Sequence, residues 1–169
     1  MKAHSLKDIE KKVNELALKI NAPSILLPTY GHSMGEATPC IEVDESGYML
    51  YVISERGREL ERRKTNIIDD LLYWIFASVT FSMSCNYELK NRVGNKDCRR
   101  IIFDKQEELL GQLNETWKER EREKHQRILK LHPFDDLAGL RATFSGQLRK
   151  QGYTEIEIEK TAYEKYPES

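Results

Sequence analysis

The string Gly31-His32-Ser33-Met34-Gly35 has the form G-x-S-x-G. In hydrolases built on a parallel sheet, that spacing sets a nucleophilic serine on a strained turn between a strand and a helix. Here Pro39 and the strand signal at Cys40–Val43 leave no room for the helix that must follow. Ser33 also falls too early for a preceding sheet, and no alternation of strands and helices builds one. The string reads as a glycine-rich loop.

Other chemistry-bearing residues meet similar objections. Glu121 and His125 stand at i,i+4 and form half a metal site, but no second pair supplies the remaining ligands, and His132 is two further turns away. They fall in the charged run Lys118–Arg127 and read as a surface pair. Asp69 and Asp70 are adjacent, so on a helix they point about 100° apart and cannot face each other as acid and base. First-turn carboxylates suit the positive end of the helix dipole. Arg99-Arg100 is different, because two cations open a helix where the dipole disfavours them. Either they pair with another element, Glu88 or Asp69 being the expected partners, or they bind an anion or a protein. Glu88 and Arg92 form an i,i+4 helix pair.

Composition narrows the classes further. The 169 residues carry 27 Lys+Arg against 28 Asp+Glu, a net charge of −1, without the basic excess that gripping nucleic acid requires. Cys40, Cys85 and Cys98 are odd in number and widely spaced, which argues against a disulfide framework and for a reducing compartment. Cys85 and Cys98 read as small core residues. Met1–Ser5 leads into an amphipathic helix without an apolar leader. Leu71–Tyr87 is uncharged but carries Ser78, Thr80, Ser82, Ser84 and Asn86, so it reads as a buried helix. A soluble, cytoplasmic chain without membrane contact is expected.

The elements that must position these residues follow from periodicity. Ser5 and Asp8 make a capping box, and Leu6, Ile9, Val13, Leu16, Ala17 and Ile20 recur at helical spacing. Residues 24–39 read as an extended connection. Cys40–Asp44, Tyr48–Glu55 and Glu59–Lys64 read as antiparallel strands joined by turns at Gly47 and Gly57, the third a charged, guarded edge. Asn66 caps a helix running to about Arg92. A further helical stretch runs from Asp97 to Leu131, with a break at Asn114. Asp135 or Asp136 starts the next helix, Gly152 ends it, and Thr154 with Glu157 caps the last. That helical pair has the size of a helix-turn-helix, but Glu155, Glu157 and Glu159 would repel phosphates. The expected fold is α+β and predominantly helical: a small three-stranded antiparallel sheet packed by five to six helices. It forms one domain, 1–169, with an N-terminal helix in 1–22, the sheet in 40–64, long helices in 66–131 and a helical pair in 135–166.

Six strings together carry a resemblance. YMLYVISERG (Tyr48–Gly57), DDLLYWIFASVTFSMS (Asp69–Ser84), YELKNR (Tyr87–Arg92), DCRR (Asp97–Arg100), KQEELL (Lys105–Leu110) and HPFDD (His132–Asp136) occur in that order. With this spacing the chain resembles immunity protein 63, a family of antitoxins from bacterial polymorphic toxin systems. The resemblance implies a cytoplasmic protein that neutralises a cognate toxin's C-terminal domain by stoichiometric binding, with no turnover and no cofactor. It brings no assigned contact residues. Candidate contacts are the acidic turn Asp44-Glu45, Glu59, Glu61 and Arg63 on the edge strand, and Arg99 and Arg100. The competing class is a protein-binding adaptor or regulator with no toxin partner. Homodimerisation through the strand edge stays open.

Overall fold

The structure is a computed structural model that describes residues 4–168. The chain forms two compact units, one of residues up to 83 with 106–121, the other of 84–105 with 122 onward.

In the first unit, α1 (Leu6–Lys19) starts with the expected box: Ser5 Oγ accepts from the Asp8 amide, and the Asp8 carboxylate accepts from the Ser5 amide, both at 3.2 Å. Ile9, Val13 and Ala17 from its apolar stripe, with Ile20 just beyond, are buried. A short 3-10 turn, Ser24–Leu26, follows.

The sheet has four strands, not three, and it is mixed: β1 (Thr29–Tyr30), β2 (Glu36–Val43), β3 (Met49–Glu55) and β4 (Arg58–Thr65), in that spatial order. β1 lies parallel to β2, with Thr29 beside Cys40 and Tyr30 beside Ile41. Two residues give no alternation to read, which is why residues 24–39 looked like plain connection. The reversal that brings β2 back alongside β1 uses left-handed backbone at Gly31, Gly35 and Ala37 (φ +76°, +71° and +58°). Glycine enters that region without the Cβ penalty, so the glycines of the G-x-S-x-G string serve this reversal. β2, β3 and β4 are antiparallel neighbours, as expected. Arg56 and Gly57 both have positive φ, the conformation of a two-residue hairpin turn that matches strand twist.

Ile41, Val43, Met49, Tyr51 and Ile53 join the core cluster with α1 and the first part of α2 (Ile68–Asn91). α2 is buried on several sides there, through Leu71, Leu72, Tyr73, Ile75, Phe76 and Val79, although Phe81 is exposed. Leu109 and Leu110 of α3 (Cys98–Leu113) and Trp117 of α4 (Glu115–Leu131) complete the cluster. The helix breaks at Asn114, whose Oδ1 accepts from the Thr116 amide at 2.8 Å.

The second unit takes the remaining parts of α2, α3 and α4, together with α5 (Ala138–Lys150) and α6 (Glu155–Lys165). Phe103, Leu148, Ile158 and Ala162 are its buried apolar residues. Neither Asp135 nor Asp136 caps α5, which starts two residues later, after a turn in which Asp135 accepts from the Leu137 and Ala138 amides. Gly152 (φ +87°) closes α5, and Thr154 with Glu157 forms the capping box of α6.

Candidate functional site

Arg99 and Arg100 do not pair with Glu88 or Asp69. Arg99 grips Asp97 through Nη2 at 2.6 Å and Nε at 3.1 Å, and also donates to the carbonyls of His132 (2.9 Å) and Pro133 (2.8 Å). Arg100 holds Asp136 through Nε at 2.8 Å and Nη2 at 3.2 Å, with its guanidinium 4.1 Å from the centre of the Phe134 ring. The backbone completes the lock. Asp97 accepts from the amides of Arg99 and Asp135, and Asp136 accepts from the amide of Asp97, each at 2.9 Å. The strings Asp97–Arg100 and His132–Asp136 are therefore bound to each other, and an acid at the start of α3 offsets the unfavourable dipole of its two arginines.

These bonds set the protonation of the carboxylates. Burial pushes the Asp97 carboxyl up, but the hydrogen bonds from Arg99 and the Asp135 amide outweigh it and hold the pKa below its usual range. Hydrogen bonds from Arg100, then from the Asp97 amide, hold Asp136 well below that range. Asp135 pairs with the buried Arg141, which also donates to the Tyr166 carbonyl and lies over the Tyr163 ring. A cavity of about 360 Å³ opens beside the lock, lined by Glu88, Arg92, Val93, Cys98 and Gly139 among others.

The sheet candidates divide between its two faces. Asp44 closes the β2–β3 turn, accepting from the Ser46 (2.9 Å) and Tyr48 (3.0 Å) amides, and binds Lys64 at 2.8 Å. The bond from Lys64 lowers its pKa most. Glu45 is exposed beside it. Glu59 pairs with Arg62 at 2.7 Å, and Arg62 reaches Glu42 at 3.6 Å. Glu61 pairs with Arg63, whose guanidinium lies 5.6 Å from the ring centres of both Tyr51 and Trp74. Arg63 thus belongs to the helix-covered face, Glu59 and Asp44 to the other.

The expectation of a solvated surface pair at Glu121 and His125 is overturned, since both are buried. Trp117, Glu121 and His125 recur every fourth residue, a helical stripe concealed by charged neighbours. In the first unit the Tyr73 hydroxyl donates to Glu121 at 2.6 Å. Burial, then that bond, raises the Tyr73 pKa strongly. In the second unit the His125 ring stacks on Phe103, with centroids 3.9 Å apart. Tyr73→Phe removes a donor from a buried carboxylate, so chemical denaturation should show a loss of about 2 kcal/mol.

Asp69 accepts from Trp117 Nε1 at 3.1 Å, and Asp70 pairs with Arg120 at 2.9 Å. Glu88 and Arg92 form the expected pair, now seen around a buried carboxylate. Ser33 Oγ accepts from the Gly35 amide in the loop between β1 and β2. Of the thiols, Cys40 is buried, Cys85 half-buried and Cys98 exposed, so Cys98 is not the core residue expected. Among the described residues no group of three His, Cys, Asp or Glu could hold a metal ion, and no helix is long and apolar enough to cross a membrane.

The protein is thus an α+β chain in which Asp97, Asp136 and Asp135 bind Arg99, Arg100 and Arg141. Residues 45–127, just under half of the chain, match the family model described as Immunity protein 63. No curated protein and no solved structure matches the chain significantly.

Proposed function

We propose that this chain is an immunity protein, which binds the C-terminal domain of a cognate toxin one-to-one and neutralises it by masking its active surface. The observation that carries this reading is the family match over residues 45–127. The ion pairs support it. Asp69, Asp70, Glu121, Arg99 and Arg100, the residues weighed for acid–base, metal or anion chemistry, are engaged in holding helices and loops together. Such a preformed surface loses little conformational entropy on binding, which favours tight association. The proposed setting is the bacterial cytoplasm.

Calorimetric titration with the toxin domain encoded by the neighbouring gene tests this directly. The expected result is 1:1 binding with a Kd of about 1 nM or below, and toxin activity lost at equivalence. Absence of binding to a folded, active toxin domain overturns the immunity reading and leaves the adaptor class in its place.

A further inference from the structure

We propose that the solvent side of α6 docks the toxin domain, with Ile156 and Tyr163 entering an apolar recess rimmed by lysine and arginine side chains. This rests on the immunity reading and names the surface it uses. α6 turns Ile158 and Ala162 inward, where both are buried. Ile156, Glu159, Lys160 and Tyr163, at i, i+3, i+4 and i+7, share the side left in water, and all four are exposed. Ile156 is 82% exposed, more than any other large apolar side chain on an α-helix among the described residues, and Tyr163 is 43% exposed.

Bonds to α5 fix this helix at both ends. Arg149 pairs with Glu155 at its start, at 2.7 Å. At its end the buried Arg141 donates to the Tyr166 carbonyl and lies 4.3 Å from the centre of the Tyr163 ring. Anchors held in place before binding lose little entropy on docking.

The charge on this side is not compensated. Glu157, Glu159 and Glu164 surround Lys160, and among the described residues none of the four takes part in an ion pair. Glu157 accepts only from the Thr154 amide and hydroxyl, at 2.9 and 2.8 Å, and neither carries a charge. On β4, by contrast, Arg62, Arg63 and Lys64 each hold a carboxylate. Three carboxylates against one ammonium select a basic rim, and the apolar pair supplies the centre from which water is excluded.

A second copy of the chain does not complement this surface. Face to face, two such helices bring together six carboxylates and two ammonium groups, and four carboxylates stay without a partner even if both lysines pair across. Desolvating them there is unfavourable, whereas a basic rim neutralises them.

Calorimetric titration of the whole chain and two surface variants with the neighbouring gene's toxin domain is the test, each variant checked for folding by circular dichroism. Ile156→Ala should bind about thirtyfold more weakly, and the double variant Glu159→Lys, Glu164→Lys about a hundredfold. A folded variant of either kind that binds within about threefold of the parent overturns the α6 surface and leaves the immunity reading intact. A parent chain that sediments as a dimer, and that either variant returns to monomer, overturns it in favour of a second copy. Absence of any complex with the parent chain overturns both the surface and the immunity reading.

Discussion

Asp97→Ala is expected to lower the free energy of unfolding by about 4 kcal/mol, the range for removing one partner of a buried ion pair. The carboxylate accepts from the Arg99 and Asp135 amides and from two guanidinium nitrogens of Arg99. Alanine leaves these donors without their acceptor. Arg99, 27% exposed at its side chain, retains only the His132 and Pro133 carbonyls. Asp97→Asn keeps the shape and one acceptor and should lose about half as much. The pH dependence has a definite sign. Because the folded pKa lies below its ordinary value of 3.8, the stabilisation is complete above that value and is lost as pH falls through the lowered one. Urea denaturation across a pH series should therefore show the gap between parent and Asp97→Ala constant near neutrality and closing in acid. A gap below about 1 kcal/mol at neutral pH would mean the lock contributes no more than an exposed pair.

The comparable loss in the first unit belongs to Phe76→Ala, also about 4 kcal/mol. Phe76 is fully buried, and its ring stacks on Trp117 with centroids 6.2 Å apart and planes 15° apart. Truncation removes the transfer energy of the ring and opens a cavity beside Trp117 in the core cluster, whose other members are themselves buried and cannot readily close it. Phe76→Leu should lose about 1.5 kcal/mol, because it refills most of the volume. Denaturation read by tryptophan fluorescence, to which Trp74 and Trp117 both contribute, reports both variants, and equal losses for Ala and Leu would point to the stack rather than the volume. Against a typical stability of about 5–15 kcal/mol, either alanine variant leaves the fold marginal.

How much of this was legible in the sequence depended on whether the forces at work were local. α1 and α6 could be placed from their capping boxes, because a side chain bonding an amide three residues away is a local event. The β2–β3–β4 meander was legible for the same reason, its turns carrying Gly47 and Arg56-Gly57 at positive φ. β1 was not, since its pairing depends on where β2 returns. The arginine lock was half visible. Cations opening α3 signalled a conflict with the dipole, but one resolving acid lay two residues from Arg99 and the other 36 residues from Arg100. No spacing rule joins such positions, although both strings had stood out in the resemblance. Glu121 and His125 were hidden differently. Every position from Lys118 to Arg127 is polar, so hydropathy shows no stripe, and only the spacing from Trp117 points inward. For the candidate interface, the carboxylates of the last helix were legible, whereas Ile156 turning outward beside the buried Ile158 was not.

The interleaving of the two units limits how this protein can be cut or recombined. The chain passes from one unit to the other after residues 83, 105 and 121, each time within a helix. No contiguous fragment contains the whole first unit without part of the second. A protease acting on a loop therefore has no linker whose cleavage frees an intact module, and a genetic crossover cannot exchange one unit for a homologue's while leaving the other untouched. Module exchange at these boundaries is closed. Change is left to point substitutions, which at exposed positions typically alter stability by no more than about 0.5 kcal/mol.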